Sequence, residues 1–180
     1  MTVSTPSDAT LAPALRGCFD SLAQCRNLLE RLGPAQYAEP FGDHSAVGAH
    51  MRHVVEHFLI FLGAVETDGV VDYDGRERDP RIESSTTFCL QIVSDIERRL
   101  EALNQRALHA SIQVCQIPAA GAAPIVVQST LERELIFLSS HTIHHIALMV
   151  LVAELKGAPK STEKDTGVAF STQDYREKKD

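Results

Sequence analysis

The sequence predicts an all-α protein, a four-helix bundle with one long crossover, and three observations carry that prediction. Apolar residues recur at intervals of three and four in four separate stretches, the spacing of one helix face. Capping residues open these stretches, and glycine and proline close the first and the last. The length of 180 residues, with 44% apolar and 23% charged residues, suits one soluble domain with a real core. The domain spans residues 1–180, its core running from about residue 10 to about residue 157 and a polar tail from 158 to 180.

The first helix is expected from about Thr10 to Leu32, with Leu11, Leu15, Cys18, Leu22, Cys25, Leu29 and Leu32 on its seam and Gly33-Pro34 as its stop. Asp43 or Ser45 caps the second, from about Ala46 to Val65. A charged, glycine-rich loop from Glu66 to about Pro80 follows, and then a third helix from about Ile82 to Asn104 with Phe88, Ile92, Ile96, Leu100 and Leu103 facing inward. Between His109 and Val127 the alternation in Ile112–Ile117 and the apolar Ile125–Val127 predict a small β-hairpin. Ser129 or Thr130 caps the fourth helix, which runs to Lys156 and ends at Gly157 with Pro159 behind it. Its seam reads Glu134, Leu138, His141, His145, Leu148, Val152 and Leu155, so three polar residues occupy core positions. In the tail, Gly167–Phe170 can dock on the bundle.

Composition removes several function classes. A net charge of −7 with no basic stripe argues against a nucleic-acid partner. The first ten residues carry no basic start and no apolar run, and the strongly apolar stretches Val54–Val65 and Ile146–Leu155 are too short to span a bilayer. A cytoplasmic protein without a membrane partner is expected. Four cysteines without a CxxC pair read as buried small hydrophobes rather than as a disulfide framework or thiolate site. A nucleophile elbow, a P-loop and a dinucleotide fingerprint are all missing.

Six of the eight histidines fall in two short helical segments, His50, His53 and His57 in one and His141, His144 and His145 in the other. Histidines three and four apart share a helix face, and two such faces in a bundle gather imidazoles around one point. Burying them is costly unless something satisfies them, and a divalent ion is the common reason for such a gathering. His141 and His145 form an i, i+4 chelating pair, with His144 about a third of a turn away. On the second helix the spacing leaves His50, His53 and His57 all open as a third ligand. The HExxH glutamate of zinc proteases is absent. Glu134, two turns before His141 on the same face, is a candidate to orient a ligand or serve as general base. Arg76 and Arg78, just after the second helix, read either as a clamp for a carboxylate or phosphate or as a solvated loop with local ion pairs. His44 and His109 read as surface residues.

Residues Ala46–His57 (AVGAHMRHVVEH), followed after a third helix by Ser129–His145 (STLERELIFLSSHTIHH), resemble the DinB/YfiT-like family of metalloenzymes. The resemblance covers roughly Leu11 to Leu155. It implies a four-helix bundle holding a divalent metal, zinc first, with nickel, iron or manganese as alternatives. Ligands are then implied at His53, His141 and His145, with open positions left on the ion. It further implies a homodimer and a small-molecule substrate, such as a low-molecular-weight thiol in S-transfer or isomerisation. Metal-assisted hydrolysis is the related enzymatic expectation. A non-catalytic, stress-linked metal-binding or sensing bundle is the alternative, and a metal-free bundle with mutually bonded histidines the third.

Overall fold

The computed structural model describes residues 11–103, 107–161 and 163–179. Four long helices dominate: α1 (Pro13–Arg31), α3 (Val47–Glu66), α5 (Thr86–Leu103) and α6 (Leu131–Leu155), with short α2 (Pro34–Ala38), α4 (Pro80–Ser84) and α7 (Phe170–Glu177) between and after them. The long helices pack in a cycle, α1 on α6, α6 on α3, α3 on α5 and α5 on α1. Leu15, Cys18, Leu22, Cys25, Met51, Val54, Phe58, Phe61, Ile96, Leu100, Leu135, Leu138, Ile146 and Met149 fill the space between them, fully excluded from solvent.

The all-α expectation needs correction, because the fold also carries a three-stranded sheet in the order β1 (Val70–Asp72), β2 (Ser111–Gln116), β3 (Ile125–Thr130). β2 and β3 form the expected antiparallel hairpin, with Val114 opposite Val127. β1 is additional. It lies inside the loop read as a charged connection and pairs in parallel with β2, Val71 beside Val114. Val71 and Val114 are both buried, so each strand turns one valine into the core while Val70, Asp72 and Gln113 stay exposed. The pairing also fixes the start of the following turn, where Asp74 Oδ2 accepts the Ile117 N–H at 2.7 Å.

The third helix is a second correction. It is broken at Ser85, whose extended backbone (φ −134°, ψ 110°) separates α4 from α5. Ser85 Oγ accepts the Phe88 N–H at 3.1 Å and caps α5, while Asp79 caps α4 through the Arg81 N–H. The break turns the inner face of α5 to Cys89, Val93, Ile96, Leu100 and Leu103, leaving Phe88 and Ile92 half-buried. The residues expected at two helix ends, Thr10 and Asn104, lie outside the described residues.

α6 begins as expected, with the Thr130 side chain accepting the Arg133 N–H. It ends in a Schellman arrangement: Gly157, at φ +80°, donates to the Glu154 carbonyl at 3.0 Å and Ala158 to that of Ala153 at 2.9 Å. Within the seam read from sequence, Glu134, Leu138 and Val152 are buried, His141, His145 and Leu148 are half-buried, and Leu155 is exposed. Among the described residues α6 alone is long and apolar enough to cross a membrane, by length and composition only, and 44% of its most apolar window is buried inside the fold. After α6 the chain returns along the α1–α6 groove. Gln24 accepts the Gly167 N–H at 2.9 Å, and Phe170 packs at Gly17 and Ser139.

One close approach holds α3 against α4. A Cβ at Gly48 would stand 2.1 Å from the Glu83 carbonyl oxygen, so the two backbones touch there. Gly48→Ala is expected to destabilise the fold by roughly 1–3 kcal/mol, because backbone rather than a flexible side chain must move. A denaturant midpoint unchanged from wild type would contradict this contact.

Candidate metal centre

α3 and α6 cross with their histidine faces together. Helical spacing lines up His50, His53 and His57 on α3 and His141 with His145 on α6. The described residues contain one group that can hold a metal ion: His53, His141 and His145, whose ligand nitrogens all lie within 4.8 Å of one another. His53 Nε2 and His141 Nε2 are 3.0 Å apart, and the His145 ring centroid lies 4.5 Å from that of His141 and 4.7 Å from that of His53. Two nitrogens bonded to one tetrahedral zinc at its usual bond lengths stand roughly 3.3 Å apart. The donor set therefore fits a divalent ion in both spacing and chemistry.

All three rings are held neutral. Burial, reinforced by the neighbouring His57, His145, Arg76 and His141, lowers the His53 pKa to about 3. His141 and His145 are lowered to about 4, again by burial first, then by His57 for the former and His141 for the latter. Neutral imidazole is the form that ligates. With folded pKa values below the ordinary 6.5, the unfolded chain binds more protons than the folded one between about pH 6.5 and 4. The metal-free protein is therefore expected to hold its full stability above pH 6.5 and to lose it progressively as the pH falls through that window. Denaturant midpoints that stay constant from pH 7 to pH 4.5 would contradict the neutral cluster.

His57 lies beside the group, its ring centroid 4.3 Å from that of His53 and 4.6 Å from that of His141, yet both of its nitrogens are engaged. Nδ1 donates to the His53 carbonyl at 2.6 Å, which can only accept. Nε2 lies 3.2 Å from Arg76 Nη1, which can only donate. The tautomer is thereby fixed, and burial lowers the His57 pKa to about 4. His50 reaches a different ring: its Nδ1 is 3.2 Å from Nδ1 of His145. His144 is exposed, its ring against His145 at 5.5 Å. His44 and His109 are exposed and distant in role, His109 beside the Glu132 carboxylate at 3.1 Å.

The two loop arginines part ways. Arg78 is exposed, at φ +58°. Arg76 turns inward, donating to the Tyr73 carbonyl at 2.6 Å as well as to His57. Its Nε is buried without a hydrogen-bond partner, 3.7 Å from the Glu56 carboxylate. Glu56, itself buried, takes Arg52 Nη1 at 2.9 Å and the Asp79 N–H at 2.8 Å. This carboxylate thus ties the loop after β1 to α3 beside the histidines.

Glu134 is buried rather than open to a ligand, at 1% exposure. Tyr73 Oη donates to its Oε2 at 2.9 Å, while Ser129 Oγ at 2.6 Å and Arg133 Nη1 at 2.8 Å donate to Oε1. Tyr73 stacks on His57 at 5.2 Å, and Phe137 stacks on His141 at 5.4 Å. Burial and the adjacent Glu134 push the Tyr73 phenol far above its usual range, so it stays a donor. Sequence spacing points to Glu134 but misses Tyr73, Phe137 and Glu56. Tyr73 is a long-range partner of the kind only a fold brings together, whereas Phe137, four residues before His141 on α6, and a glutamate among apolar residues on α3 were themselves signals.

The cysteines play no part in the centre. Cys18, Cys25 and Cys89 are buried, Cys115 is half-buried, and all are free thiols. Cys18 donates to the Leu135 carbonyl at 3.2 Å, and burial raises the Cys89 thiol to about 11. Comparisons with family models, curated proteins and solved structures each return no match.

Proposed function

We propose that this chain is a DinB-like metalloprotein, a four-helix bundle formed by α1, α3, α5 and α6 that holds one divalent ion, zinc first, at His53, His141 and His145. The observation that carries the reading is the meeting of these three neutral imidazoles, from two helices, with their ligand nitrogens within 4.8 Å. Three protein ligands are the number found in catalytic rather than structural zinc sites. When bound in such a set, a divalent ion lowers the pKa of a water or thiol that it coordinates. The chemistry we assign is accordingly metal-dependent transfer to or from a low-molecular-weight thiol, with metal-assisted hydrolysis of a small molecule as the related reaction. A carrier or sensor closes its coordination sphere with a fourth protein ligand. His57, the buried imidazole nearest the group, has both nitrogens engaged, which supports an open position and an enzyme.

The surrounding residues supply order rather than reactive groups. Glu134 fixes Tyr73, Tyr73 and Phe137 wall the histidines, and Arg76 holds His57 in place. We assign Glu134 a positioning role, because every donor around it points at its two oxygens. The free thiols suit a reducing, cytoplasmic compartment, and a homodimer is part of the same family-level proposal. The test is cobalt(II)-loaded protein titrated with N-acetylcysteine. A thiolate-to-cobalt charge-transfer band that saturates supports thiol chemistry at an open position. A d–d spectrum that neither thiol nor a small anion such as azide perturbs would overturn the open site and leave the non-catalytic reading.

A further inference from the structure

Five imidazoles meet at this centre, His50, His53, His57, His141 and His145, and hydrogen bonds decide which nitrogens are left for an ion. His57 is settled by partners of fixed polarity, a carbonyl on one side and a guanidinium on the other. The pair His50 and His145 is not, because either ring can give or take the proton between their Nδ1 atoms, 3.2 Å apart. Only one direction is compatible with ligation. If His50 donates, neutral His145 carries its proton on Nε2 and has no lone pair for an ion. If His50 accepts, His145 carries its proton on Nδ1 and presents a bare Nε2. Metal-bound histidines commonly donate their second N–H to a neighbouring acceptor, which sets tautomer and ring orientation.

We propose that His50 is a positioning residue that accepts the Nδ1–H of His145 and so presents His145 Nε2 to the ion shared with His53 and His141. His50 then holds its own proton on Nε2. It is half-buried on α3, one turn before His53, so one helix supplies both a ligand and the group that orients a ligand on α6. This role rests on the reading of His53, His141 and His145 as ligands. It also explains why α3 carries a histidine that faces the cluster without joining the group able to hold a metal.

The experiment is competition titration of metal-free, tag-free full chain with zinc against a chromophoric chelator, for wild type, His50→Ala, His50→Asn and His141→Ala. Circular dichroism confirms helical content in each. Asparagine places an acceptor oxygen near the position of the lost Nδ1. The expected result is one zinc per chain in both His50 variants, affinity weakened roughly 10–100-fold in His50→Ala, and recovery to within a few-fold of wild type in His50→Asn. A His50→Ala protein within twofold of wild type would overturn the positioning role. Loss of stoichiometric binding in both His50 variants, matching His141→Ala, would overturn it differently, by making His50 a ligand. Wild type that takes up no zinc, or His141→Ala that binds as wild type does, would instead overturn the three-histidine reading beneath it.

Discussion

Replacing His141 and His145 together with alanine is expected to abolish stoichiometric zinc binding while leaving the helical fold intact. The two residues contribute two of the three converging ligand atoms from one helix face, so no chelating pair remains on α6. Both rings are half-buried rather than sealed in the core, and α6 is held elsewhere by Leu135, Leu138, Ile146 and Met149, all fully buried. The metal-free variant should therefore unfold at a denaturant concentration close to that of metal-free wild type. The difference appears on adding zinc. At free zinc 1,000-fold above its dissociation constant, binding to the folded state alone stabilises wild type by about 4 kcal/mol, and the variant should gain none of it. A double variant stabilised by zinc as strongly as wild type would place the ion elsewhere.

Glu56→Ala is expected to be the most damaging single change near the site. The Glu56 side chain is buried and neutralises Arg52 and Arg76, whose own side chains are 15% and 13% exposed. It also accepts the Asp79 backbone N–H. Deleting it leaves Arg76 without its carboxylate, Arg52 with Glu83 alone and the Asp79 amide without its acceptor, and removing one member of a buried ion pair costs roughly 3–5 kcal/mol. Glu56→Gln should cost less, because the amide oxygen still accepts from Asp79. The loop between β1 and α4 should loosen with it, and Arg76 with that loop, which frees His57 Nε2. A loss of under about 1 kcal/mol in Glu56→Ala, the range of exposed pairs, would show that the network is not structural.

Much of the helical framework was readable because periodicity and caps agree. Gly33-Pro34, Thr130 and Gly157 each end or begin a helix within a residue or two of the expected place. The interruption at Ser85 was hidden, since Ile82 and the α5 residues share one helical period and the break depends on a local cap. β1 was hidden for another reason. Three residues of charged loop give no alternation to read, and Val70 finds its partner Gln113 more than forty positions later.

The centre divides along the same line. The His141–His145 spacing is a local property of one helix and needs no tertiary information. Choosing among His50, His53 and His57 does. All three lie three and four apart on α3, and what separates them is Arg76 from the loop, on His57, and His145 from α6, on His50. Only the family resemblance singled out His53 in advance. Glu134 stood out as a polar residue at a seam position, but its partner Tyr73 enters through β1, which no local pattern announced.

The most direct measurement is zinc K-edge X-ray absorption on tag-free protein loaded with one equivalent of zinc and freed of excess. The expected result is zinc retained with three imidazole ligands and one non-protein oxygen, and an imidazole count that falls in His53→Ala. Zinc washed out of wild type, or a closed shell of four imidazoles unchanged in His53→Ala, would contradict it.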